Sequence, residues 1–253
     1  MKTATHWLLA TLLCTVAMAT RTAAQQPDTV QQAKTFERTL TKKLKADYLL
    51  FLPKGYDAKA ARRWPLLLFL HGAGERGTNV WLVAKHGPPN LVKDCPDFPF
   101  IIVSPQVAPG LRWENETMLA LLDDIIATHK VDTTRVYLTG LSMGGYGTWS
   151  LGTAHPERFA AIAPICGGGD TVLFRLSDPK KAAALKALPI WAFHGDKDTA
   201  VPLKKSEEMV EALKKFGCEE VKLTVYPGVG HDSWTETYNK QAFYDWLLKH
   251  QRQ

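Results

Sequence analysis

The residues best suited to chemistry lie at Gly140-Leu141-Ser142-Met143-Gly144-Gly145, where a serine has glycine two positions away on either side. The apolar run 135–139 feeds directly into it, and a helical pattern follows to about His155. A strand that turns this sharply into a helix strains the serine, and the flanking glycines remove side chains that would collide. A serine hydroxyl is a weak nucleophile at neutral pH and needs a base steadied by a third group. Two later segments offer them. The run 190–194 leads into Gly195-Asp196-Lys197-Asp198, and the run 221–226 leads into Pro227-Gly228-Val229-Gly230-His231. His231, in a glycine-rich turn, is the expected base. Asp198 is the expected acid, with Asp196 as the alternative. His71, His86, His129, His155 and His194 have no equivalent position. The chemistry of such a trio is acyl transfer.

Acyl transfer builds negative charge on a former carbonyl oxygen, and backbone N–H groups are the usual receivers. Met143, directly after the serine, is one expected donor. The other is Ala73, with Gly74 behind it, in His71-Gly72-Ala73-Gly74-Glu75-Arg76-Gly77, which follows the apolar run 66–70. Glu75 and Arg76 read as an ion pair that fixes this loop. Trp234, three residues beyond His231, and Trp113 are the candidate substrate-binding walls; Trp149 is a weaker one. Asp123-Asp124 reads as a solvated pair, because adjacent helix positions do not face each other. Gly167-Gly168-Gly169-Asp170 reads as a turn near the site and Cys166 as a packed small side chain. No His/Cys/Asp cluster has metal-ligand spacing in the sequence, so no metal is expected.

These residues need elements to carry them. Strands are expected at 48–52, 66–70, 100–103, 135–139, 159–164, 190–194 and 221–226, several almost continuously apolar, as in strands buried on both faces. Helices are expected at 116–129, 180–188, 206–216 and 240–250. The third has Ser206 as its cap, acids in its first turn, lysines in its last and Gly217 beyond. The fourth offers Phe243, Trp246 and Leu247 as its buried face. Strands alternating with helices imply a mainly parallel sheet covered on both faces.

The chain has 253 residues, 45% hydrophobic and 22% charged, which excludes collagen-like, coiled-coil and wholly disordered readings. Lys2 followed by the uncharged apolar stretch 7–19 and small residues at Ala17, Ala19, Ala23 and Ala24 reads as a signal peptide over 1–24. A lead-in over 25–45 and one catalytic domain over 46–253 complete the expected organisation. The apolar stretch is too short to span a membrane, so a secreted or periplasmic protein without a membrane anchor is expected. Losing Lys2 and Arg21 would lower the formal charge from +6 to +4, too weak and scattered for a nucleic-acid partner. Cys95, Cys166 and Cys218 would remain, allowing at most one internal disulfide.

Together, the segments 71–77, 140–147, 194–198 and Gly230-His231-Asp232-Ser233-Trp234 resemble the α/β-hydrolase superfamily. More narrowly they resemble small secreted bacterial esterases related to phospholipase/carboxylesterases, feruloyl esterases and polyhydroxybutyrate depolymerases. The resemblance covers about 48–250 and implies an α/β-hydrolase fold, nucleophile Ser142, acid Asp198, base His231, oxyanion donors at Ala73 and Met143, and no cofactor. It implies a serine esterase for small-molecule or polysaccharide-linked esters. About 24 residues separate Pro164 from Ile190. That leaves no room for a substantial lid and favours short-chain, acetyl or feruloyl-type groups over long lipids. A prolyl-oligopeptidase-type peptidase would show the same trio, but the lead-in cannot form the propeller of such enzymes. A non-catalytic hydrolase-fold binding protein is the remaining alternative.

Overall fold

The computed structural model describes residues 32–252, so the expected signal segment lies outside the described residues. The chain divides into a unit ending at Lys42 and a compact body from Lys43, and 32–42 carry no regular structure. In chain order the body contains β1 (Asp47–Phe51), β2 (Trp64–Leu70), α1 (Pro88–Leu91), β3 (Ile101–Gln106), α2 (Asn115–Thr128), β4 (Val131–Leu141) and α3 (Met143–Ala154). It continues with β5 (Ala161–Ile165), α4 (Pro179–Ala187), β6 (Ile190–Gly195), α5 (Lys204–Phe216), β7 (Val221–Tyr226), α6 (Ser233–Tyr238) and α7 (Gln241–Lys249). The strands form one sheet in the order β1-β3-β2-β4-β5-β6-β7. β1 is antiparallel to β3 at the edge, and all other pairings are parallel.

The alternation of side chains along β2 shows why the sheet needs cover on both faces. Leu66, Leu68 and Leu70 join a core cluster with Met118, Leu122 and Ile125 of α2 and Met209 and Leu213 of α5. Leu67 and Phe69 point to the other face, into a cluster with Phe243, Trp246 and Leu247 of α7. Those three α7 residues are the expected ones, and burying each stabilises the fold by about 1.5–3 kcal/mol.

One local reading needs correction. Ser206 does not cap α5: the helix starts a turn earlier, with Leu203 at its N-cap, and Ser206 faces the interior, fully buried. The far end is as expected, with Lys214 and Lys215 in the last turn and Gly217 left-handed at φ 95°. No disulfide forms among the described residues; Cys95, Cys166 and Cys218 are all free thiols. Among the described residues no helix is long and apolar enough to cross a membrane.

The parallel direction of β2 and β4–β7 brings the segments after them to the same sheet edge. His71–Ala73, Ser142, Cys166, Asp198 and His231 follow β2, β4, β5, β6 and β7 respectively. Residues far apart in sequence are thereby gathered where open α/β sheets place their sites.

Candidate active site

Ser142 sits between β4 and α3 at φ 52° and ψ −115°, a conformation that an L-residue rarely adopts. Its amide donates to the Ile165 carbonyl at 3.0 Å, tying the turn to β5. The turn is this tight because glycines let backbone meet backbone. A Cβ on Gly140 would lie 2.5 Å from the Gly144 carbonyl oxygen, and one on Gly144 only 1.9 Å from that of Leu70.

The structure joins the three expected groups in one hydrogen-bonded chain. His231 Nε2 lies 2.9 Å from Ser142 Oγ, and His231 Nδ1 lies 2.7 Å from Asp198 Oδ2. Nδ1 faces a carboxylate and therefore carries the proton, which leaves Nε2 free to accept from the serine hydroxyl. The other Asp198 oxygen accepts the Ala200 and Val201 amides at 2.9 and 2.8 Å. Burial alone would raise the Asp198 pKa, but hydrogen bonds from His231, Val201 and Ala200 outweigh it and hold the carboxyl below its ordinary value. Asp196, the alternative acid, is exposed and accepts the Gly228 amide at 2.7 Å. It links two turns and leaves His231 to Asp198.

His71, set aside on sequence grounds, organises the neighbouring loop. It is fully buried; its Nε2 accepts the Val107 amide at 3.0 Å, so the proton is on Nδ1, 2.5 Å from the Gly72 carbonyl oxygen. Burial lowers its pKa, which keeps that neutral form. In a trans peptide the C=O and the following N–H point in opposite directions. By fixing the Gly72 carbonyl, His71 therefore turns the Ala73 N–H the other way. Ala73 opens a 3-10 turn and Met143 opens α3, so both N–H groups are at helix starts, where donors lack intrahelical partners. Trp113 covers this loop, donating from Nε1 to the His71 carbonyl at 3.2 Å with its ring edge-on to the imidazole.

Glu75 and Arg76 do not form the expected pair. Buried Glu75 faces His86, with Oε1 3.8 Å from Nε2, whereas Arg76 donates to the Ala73 carbonyl at 3.0 Å. Consecutive side chains in this 3-10 turn diverge, so each finds its own partner.

Ser142 opens into a cleft of about 920 Å³ whose walls include Trp113, Met143, Tyr146, Gly168 and Asp170. Trp113 and the glycine-rich turn thus stand where expected. Trp234 does not line this cleft: its ring lies edge-on to His231 at 5.2 Å and to His86 at 5.6 Å, backing the histidine. Trp149 is fully buried in the core. Asp123 pairs with Arg158, away from the trio.

Cys166 is closer to the site than its sequence position implies. One ligand atom each from Cys166, Asp198 and His231 lies within 4.8 Å of the others, a grouping that could hold a metal ion. Burial pushes the Cys166 thiol up to about 12, and the Asp198–His231 hydrogen bond already occupies two of the three groups. An ion there would displace the proton on which the His231 tautomer depends.

Comparison with known proteins agrees with this geometry. Residues 105–244 match the phospholipase/carboxylesterase family. An endo-1,4-β-xylanase/feruloyl esterase of Xylanibacter ruminicola is 30% identical over 76% of this chain and 28% of its own length. A poly(3-hydroxyalkanoate) depolymerase C of Paucimonas lemoignei is 44% identical over 46% of this chain and 30% of its own. The chain therefore spans less than a third of either protein. A thermostable esterase structure superposes with a TM-score of 0.65 at 34% identity, covering 81% of this chain and 59% of that one. With its mainly parallel sheet, its sharp serine turn and a family match across more than half its length, the chain belongs to the phospholipase/carboxylesterase family of α/β-hydrolases.

Proposed function

We propose that this protein is an exported serine esterase that cleaves short-chain, acetyl or feruloyl-type esters through an acyl-enzyme on Ser142. The observation that carries this reading is the hydrogen-bonded chain from Ser142 Oγ through His231 to Asp198 at the foot of an open cleft. Ser142 Oγ attacks the ester carbonyl carbon while its proton moves to His231 Nε2. The N–H groups of Met143 and Ala73 receive the charge on the carbonyl oxygen. Collapse breaks the bond to the alcohol oxygen, which leaves with the proton from Nε2. Water then attacks the acyl carbon, giving a proton to His231, and the acid departs as Ser142 regains its hydrogen. Asp198 stays ionised and holds the imidazole throughout.

The size of the cleft supports an ester that carries a bulky group. Beyond Ser150 and Asp170, which line both spaces, the cleft meets a second hollow of about 460 Å³ with Asn115, Thr153, Asp178 and Lys181 in its walls. Leu173, Phe174 and Leu176 stand in the same walls, so the extension is mixed in character and offers room for a bulky alcohol group. The xylanase/feruloyl esterase relative points the same way. The test is a panel of 4-nitrophenyl esters of increasing acyl length, methyl ferulate, acetylated xylan and aminoacyl-proline amides. The reading predicts the highest kcat/KM on short or feruloyl esters. Faster turnover of the amides would replace it with a peptidase.

The loop geometry adds a further expectation. In His71→Ala the Gly72 carbonyl is released, the Ala73 N–H loses its fixed direction, and kcat should fall by about 10²-fold with KM little changed. Steady-state kinetics on 4-nitrophenyl acetate would show this; an unchanged kcat would remove His71 from the account.

A further inference from the structure

A second histidine stands beside Asp198. His194, near the end of β6, is completely buried, and its Nε2 lies 2.8 Å from the Val201 carbonyl oxygen and 3.2 Å from Asp198 Oδ2. Both neighbours are acceptors, so this nitrogen carries a proton; its hydrogen bond goes to the Val201 carbonyl, and Asp198 Oδ2 lies within reach of the same N–H dipole at the longer distance. On the other side of the ring, Nδ1 lies 2.7 Å from Ser206 Oγ, which is itself 3.0 Å from the Gly167 carbonyl oxygen. Ser206 is fully buried as well, which accounts for its turning inward instead of capping α5.

Asp198 Oδ2 thus meets His194 on one side and His231, at 2.7 Å, on the other. The Ala200 and Val201 amides hold Oδ1. We propose that His194, anchored by Ser206, is a positioning residue that fixes the Asp198 carboxylate and sets how strongly it holds the Nδ1 proton of His231. The network runs from Gly167, beside cleft residues Gly168 and Gly169, through α5 and β6 to the catalytic trio. It therefore joins one wall of the cleft to the acid. The inference rests on the esterase reading of Ser142, His231 and Asp198.

Among the described residues Cys166, just after β5, also lies close to Asp198 and His231. Burial pushes its thiol up to about 12, so it stays neutral across the working range. Asp232 follows His231, is exposed, and accepts the Thr235 amide at 3.1 Å. A change in the acid limb of the pH profile on substituting His194 thus reports on Asp198. A carboxylate that loses the positive end of a nearby N–H dipole becomes more basic and holds the protonated imidazole more tightly. The acid limb must then move to higher pH.

The experiment compares the full chain with His194→Leu, His194→Gln and Ser206→Ala, after active-site titration with a fluorophosphonate. His194→Leu should lower kcat by about 10- to 100-fold, the scale for displaced catalytic groups, with KM within about twofold. It should move the acid limb of kcat/KM up by a measurable amount below about one pH unit, the scale of a full hydrogen bond to a charged group. His194→Gln, which can still present an N–H, should recover most of both losses. Ser206→Ala should move the limb in the same direction by less. If His194→Leu does not accumulate as folded protein, Ser206→Ala carries the test. An unmoved limb, in His194→Leu or in the Ser206→Ala that replaces it, overturns the proposal; lower yield alone with wild-type kinetics per titrated site does so too. A wild-type protein that takes up no fluorophosphonate would instead overturn the esterase reading.

Discussion

Replacing Ser142 with Ala should lower kcat/KM for ester hydrolysis by about 10⁴-fold or more, leaving the modest acceleration that the remaining donors and binding supply. The magnitude follows from the geometry. Ser142 Oγ is the atom that His231 Nε2 faces at 2.9 Å, and without it the base has no proton to take from a nucleophile held against the cleft. The fold should not suffer. The Ser142 amide bond to Ile165 belongs to the backbone, and Ala meets the same φ of 52° as Ser. A loss of activity with an unchanged melting temperature therefore separates chemistry from folding. Activity within tenfold of the parent would show that another group performs the attack.

Gly144→Ala is the second large effect, and it acts through the backbone. The added Cβ would lie 1.9 Å from the Leu70 carbonyl oxygen and 2.8 Å from that of His71, both rigid main-chain atoms at the end of β2. Neither is a flexible side-chain tip, so α3 and β2 must separate. Overpacking ordinarily costs about 1–3 kcal/mol, and backbone against backbone belongs at or above the upper end. In a domain of this size about 3 kcal/mol corresponds to a fall of roughly 6–12 °C in Tm. The same separation pulls the Met143 and Ala73 N–H groups apart, because one begins α3 and the other follows β2. A shift near 1 Å then costs roughly 10² in kcat. Gly74→Ala is the control: its Cβ would meet nothing within 4 Å, and stability should stay within about 0.5 kcal/mol. Calorimetry with active-site titration checks both; a Gly144→Ala protein with parental Tm and kcat would contradict the packing account.

What sequence could reveal depended on how local each signal was. Ser142 and His231 were legible because each follows an apolar run and sits among glycines, so strand, turn and reactive group are read in one stretch. The preference for Asp198 over Asp196 rests on weaker local support. They stand two positions apart on one turn, and the choice is made by distant partners: the Gly228 amide takes Asp196, whereas His231 takes Asp198. His71 and His194 have roles that are hidden from sequence for a related reason. Each is a buried polar ring whose importance depends on its acceptors and donors, such as the Val107 amide 36 residues away or Ser206 on another element. Hydrophobic periodicity contains no such information. Ser206 itself was misread because a serine near acids is a sound cap signal, overridden here by a buried hydrogen-bond partner. Trp234 is three residues from His231, but its ring packs edge-on against His231 and His86 instead of lining the cleft, an arrangement no local pattern indicates.

The fold was legible for the opposite reason. The central strands are buried on both faces; β2 and the first half of β3 read as unbroken apolar runs, and α7 shows its buried face by spacing alone. β4 is longer than its apolar run because Asp132, Thr133 and Thr134 are polar yet still extended, with Asp132 accepting from Thr134 and Arg135.

The central claim, a covalent acyl-enzyme on Ser142, is tested most directly by mixing the protein with excess 4-nitrophenyl acetate, quenching in acid within milliseconds and measuring intact mass and peptides. The account predicts a burst of 4-nitrophenol approaching one per chain and an acetyl group on the peptide containing Ser142, absent in Ser142→Ala. Steady turnover with no adduct, or an adduct on any other residue, would contradict it.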